Sequence, residues 1–216
     1  SAIACHKASH GLAPHEMIEV ERPTLSRFMG DWETYVPDIA RIEGPGSAVD
    51  SGLRAMMFTD LEGSTEVSAR HGDHQAVAVV ERHDRIVRDA LEASGGREVK
   101  HTGDGIFASF TYVSRAVDCA VAIQQGFEEI NDDGPGSRVR IGISAGEPVD
   151  MNEDLYGAVV NLAARICSHA EPGQILVSAA VKELALGKSL GFVDLGLIAL
   201  KGFDDPVRLY QAGSIR

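Results

Sequence analysis

Residues 97–110 read REVKHTGDGIFASF. Two runs fit for strands, Arg97–His101 and Ile106–Phe110, flank a polar turn at Thr102–Gly105 that contains two glycines. That pattern predicts a β-hairpin. At its tip, Asp104 stands between Gly103 and Gly105. An Asp in such a place is either plain turn chemistry or a carboxylate presented with few competing side chains.

Upstream, "DHQAVAVVERHDRIVRDALEASGG" puts Val77, Val80, Val87, Ala90 and Leu91 at helical spacing and stops on Gly95-Gly96, which predicts an amphipathic helix. Before it, "LRAMMFTDL" (53–61) reads as a buried strand that ends on Asp60. If the hairpin lies beside this strand, Asp60 and Asp104 reach one edge of the sheet. Two carboxylates suit Mg²⁺, which completes its shell with waters and phosphates. The glycines let backbone and phosphates come close.

Downstream, "VSRAVDCAVAIQQGFEEI" places Val113, Ala116, Val117, Ala120, Ile123 and Phe127 on one side of a helix. Then follow an alternating strand in "RVRIGISAGEPV", a helix in "YGAVVNLAARICSHA", a strand in "GQILVS", a short helix in "SAAVKELAL" and a closing hairpin in "FVDLGLIALKGFDDPVRLYQA". This order predicts an α+β, ferredoxin-like sandwich: one mainly antiparallel sheet, helices on one face, and a closing β-hairpin. Asn161 and Arg165 fall four residues apart on one helix face. The pair is either a solvated face or a fork of amide and guanidinium for a phosphoryl group.

Residues 1–50 differ in character, with a possible strand at Met17–Val20 and a Gly/Pro/Ser-rich break at Gly44–Gly52. They read as an arm and linker, the tail of a regulatory module, ahead of a domain spanning 51–216. Cys5, His6, His10 and His15 follow no standard metal-ligand spacing. The 216-residue chain carries a formal charge of −12, which argues against general affinity for nucleic acid. No run approaches the roughly 18–20 apolar residues of a membrane span. Cys5, Cys119 and Cys167 form no CxxC pair, so a reducing, cytoplasmic setting is expected. Cys119 and Cys167 fall on apolar helix faces, and His101 reads as a hairpin side chain rather than a base. Glu62 and Glu66 read as capping or solvated residues, and Ser64 and Thr65 as an N-cap.

Four segments in this order, "FTDLEGST" (58–65), "VKHTGDG" (99–105), "DLYGAVVNLAAR" (154–165) and "LKGFDDPVRLY" (200–210), resemble the class III nucleotidyl cyclase catalytic domain. The resemblance covers residues 53–212. It implies an adenylate cyclase that converts ATP to 3′,5′-cyclic AMP and pyrophosphate, the ribose 3′-hydroxyl attacking the α-phosphorus. By the same resemblance, Asp60, Asp104 and the backbone carbonyl of Leu61 bind two divalent cations, Mg²⁺ or Mn²⁺. Lys100 and Asp154 read the purine. Asn161 and Arg165 orient the ribose and stabilise the transition state, and Lys201 holds the triphosphate. A head-to-tail homodimer is also implied, with the metal aspartates from one subunit and the other groups from its partner. Lys100 with Asp154 favours ATP over GTP, because a Lys can donate to adenine N1 and an Asp can accept from its 6-amino group. Two departures, "FTDLEGST" for the commoner "FxDIxGFT" and Ala158 after "YG", resemble bacterial-type variation. A non-catalytic nucleotide-binding module and a two-aspartate phosphohydrolase are the rival readings. The first usually lacks a metal aspartate or the Asn/Arg pair, and the second leaves Lys100, Asp154 and Lys201 without a reason.

Overall fold

The computed structural model describes residues 52–62, 73–131, 138–151, 154–186 and 190–214. The apolar run that ends on Asp60 forms β1 (Arg54–Leu61), buried throughout after Arg54. Helix α1 (Asp73–Ser94) follows, then β2 (Arg97–His101) and β3 (Ile106–Phe110). After the hairpin come α2 (Val113–Asn131) and β4 (Val139–Gly146). Two three-residue strands, β5 (Val149–Met151) and β6 (Asp154–Tyr156), make a small ladder of their own. The remainder is α3 (Ala158–His169), β7 (Ile175–Ser178), α4 (Ala179–Leu184), β8 (Leu190–Ile198) and β9 (Val207–Ser214).

Seven strands form one sheet in the order β2-β3-β1-β4-β7-β9-β8. Only β4–β7 is parallel; the other pairs are antiparallel. The predicted hairpin is β2–β3 with its turn at Thr102–Gly105, and it lies beside β1 through Ala55↔Phe110 to Phe58↔Phe107. The closing hairpin is β8–β9.

Strand alternation assigns the two faces. Ala55, Met57 and Leu61 of β1 join Val139, Ile141 and Ile143 of β4 in a core with α1, α2 and Val181 of α4. All six predicted α2 positions are in that core, whereas Val77 of α1 is exposed. Cys119 and Cys167 are both fully buried, as expected. Burial also pushes the Cys119 thiol up to about 12, which suppresses thiolate chemistry there.

The α+β sandwich is therefore present with α1, α2 and α4 over one face. Helix α3 lies across the other face, a placement that element order does not carry. There Val160, Ala163, Ala164 and Cys167 pack on Met56, Phe58 and Phe107. Gly142 of β4 makes this approach close: a Cβ there would stand 2.1 Å from the Cys167 backbone nitrogen. Among the described residues no helix is long and apolar enough to cross a membrane. The expectations for residues 1–50, Ser64, Thr65 and Glu66 fall outside the described residues.

Candidate active site

Asp60 closes β1 on the α3 side of the sheet, because it follows Met56 and Phe58 at alternate positions. Asp104 arrives from the β2–β3 turn, and the Leu61 amide donates to the Asp104 carbonyl at 3.1 Å. Both residues are buried, at 2% and 6% exposure. The turn can approach this closely only because residue 105 is Gly. A Cβ at that position would fall 2.0 Å from the Thr59 carbonyl oxygen. Thr59 secures the same junction, its hydroxyl oxygen accepting the Ile106 amide at 2.9 Å.

A buried carboxylate needs a counter-charge or strong donors. For Asp60 it is Arg140, whose Nε and Nη2 both reach Oδ2. The β1–β4 register dictates the pairing, since Asp60 and Arg140 are direct cross-strand partners. Arg140 is itself 5% exposed, and its Nη1 donates to the Ser168 carbonyl of α3 at 3.4 Å. Sequence reasoning missed Arg140. The available signal was a cation in "RVRIGIS" at a strand position whose alternate neighbours, Gly142 and Ser144, are small.

Lys100 and Asp154, 54 positions apart, meet across β2 and β6. Lys100 Nζ donates to Asp154 Oδ2 at 3.1 Å, with side-chain exposures of 46% and 22%. Tyr156 Oη donates to the same oxygen at 3.1 Å, and the Leu155 amide donates to Oδ1 at 2.9 Å. Asn161 and Arg165 are half-buried one turn apart on α3. Lys201 is exposed in the β8–β9 connection, after Leu200, which packs with Ile166 of α3. The structure thus brings Asp60, Leu61 and Asp104 together, and separately joins Lys100 to Asp154.

Behind the hairpin, on the α1 face, lies a polar network that the sequence did not suggest. His83, fully buried in α1, donates from Nδ1 to Asp84 Oδ1 at 3.0 Å, and its Nε2 lies 3.3 Å from the Thr59 hydroxyl. His101 accepts the Gly103 amide at Nδ1 (3.2 Å), which leaves Nε2–H to donate to Asp84 Oδ2 at 2.9 Å. Arg88 grips Glu98 with two bonds of 2.8 and 3.0 Å. Burial pushes the Asp84 carboxyl up, but hydrogen bonds and charge from His83 and His101 outweigh it and hold the group below its ordinary value. Glu98 is lowered chiefly by its bond to Arg88. His101 is therefore a tie between α1 and the turn.

The profile of the Adenylate and Guanylate cyclase catalytic domain matches residues 52–212. The chain belongs to that family. A structure described as an adenylate/guanylate cyclase/hydrolase from Silicibacter pomeroyi is 33% identical at TM-score 0.67, covering 76% of this chain and 97% of that one. Adenylate cyclases from Trypanosoma brucei, solved in their monomeric state, give 27% and 0.67, covering 75% and 90%. The receptor-type adenylate cyclase of Trypanosoma congolense is 30% identical over 206 residues, covering 74% of this chain. The cyclase domain here spans 28% of that protein's length, and between 12% and 39% of other curated relatives.

Proposed function

We propose that this cyclase domain converts ATP to 3′,5′-cyclic AMP and pyrophosphate. The observation that carries the proposal is the Lys100–Asp154 contact at 3.1 Å. It sets a donor beside an acceptor on the edge of a domain whose family forms cyclic nucleotides. Lys100 would donate to adenine N1, and Asp154 would accept from the 6-amino group. Asn161 would orient the ribose. Arg165, on the same helix face, would stabilise charge developing on the α-phosphoryl group. Lys201 would hold the terminal phosphates.

Asp60, Asp104 and the Leu61 carbonyl fit divalent cations: they are hard oxygen donors, and the Asp60 carboxylate is already matched with positive charge from Arg140. Two such ions, Mg²⁺ or Mn²⁺, would supply Lewis-acid activation of the 3′-hydroxyl and neutralisation of phosphate charge.

Both groups of residues occur in one chain, which supports a head-to-tail homodimer with two shared sites. We read residues 1–50 as an arm outside the catalytic domain. A cytoplasmic setting belongs to the same proposal, since it supplies ATP and keeps the buried thiols of Cys119 and Cys167 reduced.

The test is to incubate the purified chain with ATP or GTP and Mn²⁺ across a range of protein concentrations, identifying the product. Cyclic AMP with a steep concentration dependence is expected. No cyclic nucleotide at any concentration, or equal turnover of GTP, refutes the proposal. Mixing Asp60→Asn with Arg165→Ala chains tests the shared site separately, and partial recovery of activity is the expected result.

A further inference from the structure

A lysine and an aspartate choose a purine only when their order against its 6-substituent is fixed. Adenine offers an acceptor at N1 beside a donor at its 6-amino group. Guanine offers a donor at N1–H beside an acceptor at O6. One donor and one acceptor can satisfy either edge, depending on which of them faces the 6-substituent. Selectivity therefore requires that the carboxylate be held in one place.

We propose that Tyr156 is the positioning residue that holds it, and that it sets the preference for ATP by acting through Asp154. The inference rests on the assignment of Lys100 and Asp154 as the purine-reading pair. Tyr156 Oη and Lys100 Nζ each donate to Asp154 Oδ2 at 3.1 Å, and the Leu155 amide donates to Oδ1 at 2.9 Å. An ionised carboxylate has about four acceptor sites. Three are taken by donors arriving from β2, from the Tyr156 ring and from the Asp154–Leu155 backbone. The remaining site, on Oδ1, has a fixed direction. It accepts the amino group of adenine and repels the carbonyl oxygen of guanine.

Lys100 is poorly suited to fix that direction. Its side chain is 46% exposed, and a pair of this kind holds geometry weakly. Tyr156 is better placed. It has only two side-chain torsions, and its backbone is paired with Val149 in the β5–β6 ladder. Gly157 follows at φ 115° and opens α3, which carries Asn161 and Arg165. The phenol thus ties the base-reading carboxylate to the start of the ribose- and phosphate-facing helix. Without the hydroxyl, the Asp154 carboxylate can turn and let Lys100 meet O6 of guanine.

The experiment compares kcat/KM for ATP and GTP in wild type, Tyr156→Phe, Asp154→Asn and the double variant, with melting temperatures for each. Tyr156→Phe should lower the ATP/GTP ratio by about tenfold or more while the melting temperature moves by less than about 2 °C. In the Asp154→Asn background the same change should alter the ratio by less than about twofold, because the two residues act as a unit. A Tyr156→Phe enzyme that slows equally with both nucleotides, or keeps its ratio within about twofold of wild type, overturns the inference and leaves the ATP assignment standing. A wild type without preference for ATP overturns that assignment, and this inference with it.

Discussion

Arg140 gives the sharpest test of the proposed metal site. In Arg140→Met the stem is kept and the guanidinium lost, so the buried Asp60 carboxylate loses that counter-charge. Both groups are nearly inaccessible, at 5% and 2% exposure. Breaking a buried pair by removing one member costs about 3–5 kcal/mol. For a domain of this size that lowers the melting temperature by roughly 6–20 °C. The measurement is a thermal melt in EDTA and again with Mn²⁺. A cation bound at about 100 times its dissociation constant returns about 2.7 kcal/mol. The variant should gain more from it than wild type, in which Arg140 already supplies positive charge to the Asp60 carboxylate. Adding Asp60→Asn to the variant removes the buried charge and should restore most of the metal-free stability. If Arg140→Met melts within about 2 °C of wild type in EDTA, or Mn²⁺ raises both melts equally, the pair does not compete with metal and the reasoning fails.

Arg165→Ala should reduce kcat by about 10²–10³ with little change in the melting temperature, since the side chain is only half-buried. Steady-state kinetics beside a thermal melt separates the two effects. The Asp84 carboxyl is held below its ordinary value of 3.8. A depressed folded-state value gives stability that is present above the unfolded value and lost as pH falls through the folded one. Urea midpoints of wild type should therefore drop below about pH 4 more steeply than those of Asp84→Asn, and parallel curves would deny the carboxylate that role. Gly142→Ala would place a methyl 2.1 Å from the Cys167 nitrogen, which is backbone and cannot yield as a side chain could. α3 must lift from β4, so we expect a destabilised protein with depressed activity, read by calorimetry and cyclic-nucleotide yield.

What could be read from the sequence was local periodicity and turn chemistry. β1, the β2–β3 hairpin and α2 follow from apolar spacing and the glycines around Asp104. The β5–β6 ladder has strands of three residues, too short for alternation to register. The face taken by α3 depends on Gly142 of β4 letting the Ala163 and Cys167 backbone of the helix come close, and neither residue signals a direction by itself. Asp60 and Asp104 could be paired once the hairpin was placed beside β1. Arg140 could not, because in "RVRIGIS" it looks like an ordinary outward position in an alternating strand. The cross-strand register with Asp60 gives it its carboxylate partner. Tyr156 was hidden for a similar reason, since its role depends on the direction of one hydroxyl.

β1 shows how the site is supported from both sides. Adjacent residues of a strand point to opposite faces, so Asp60 and Thr59 serve different layers. Asp60 meets Arg140 and the α3 side, where the reactive groups are expected. Thr59 turns to the α1 side, accepts the Ile106 amide and contacts buried His83. His83 leads through Asp84 to His101, and His101 accepts the amide of Gly103, the residue before Asp104. A continuous set of hydrogen bonds thus leaves β1 beside Asp60, passes behind the sheet and returns beside Asp104. The acidic turn is held by its strand in front and by α1 from behind. That double attachment accounts for a glycine-rich turn presenting a carboxylate in one definite place.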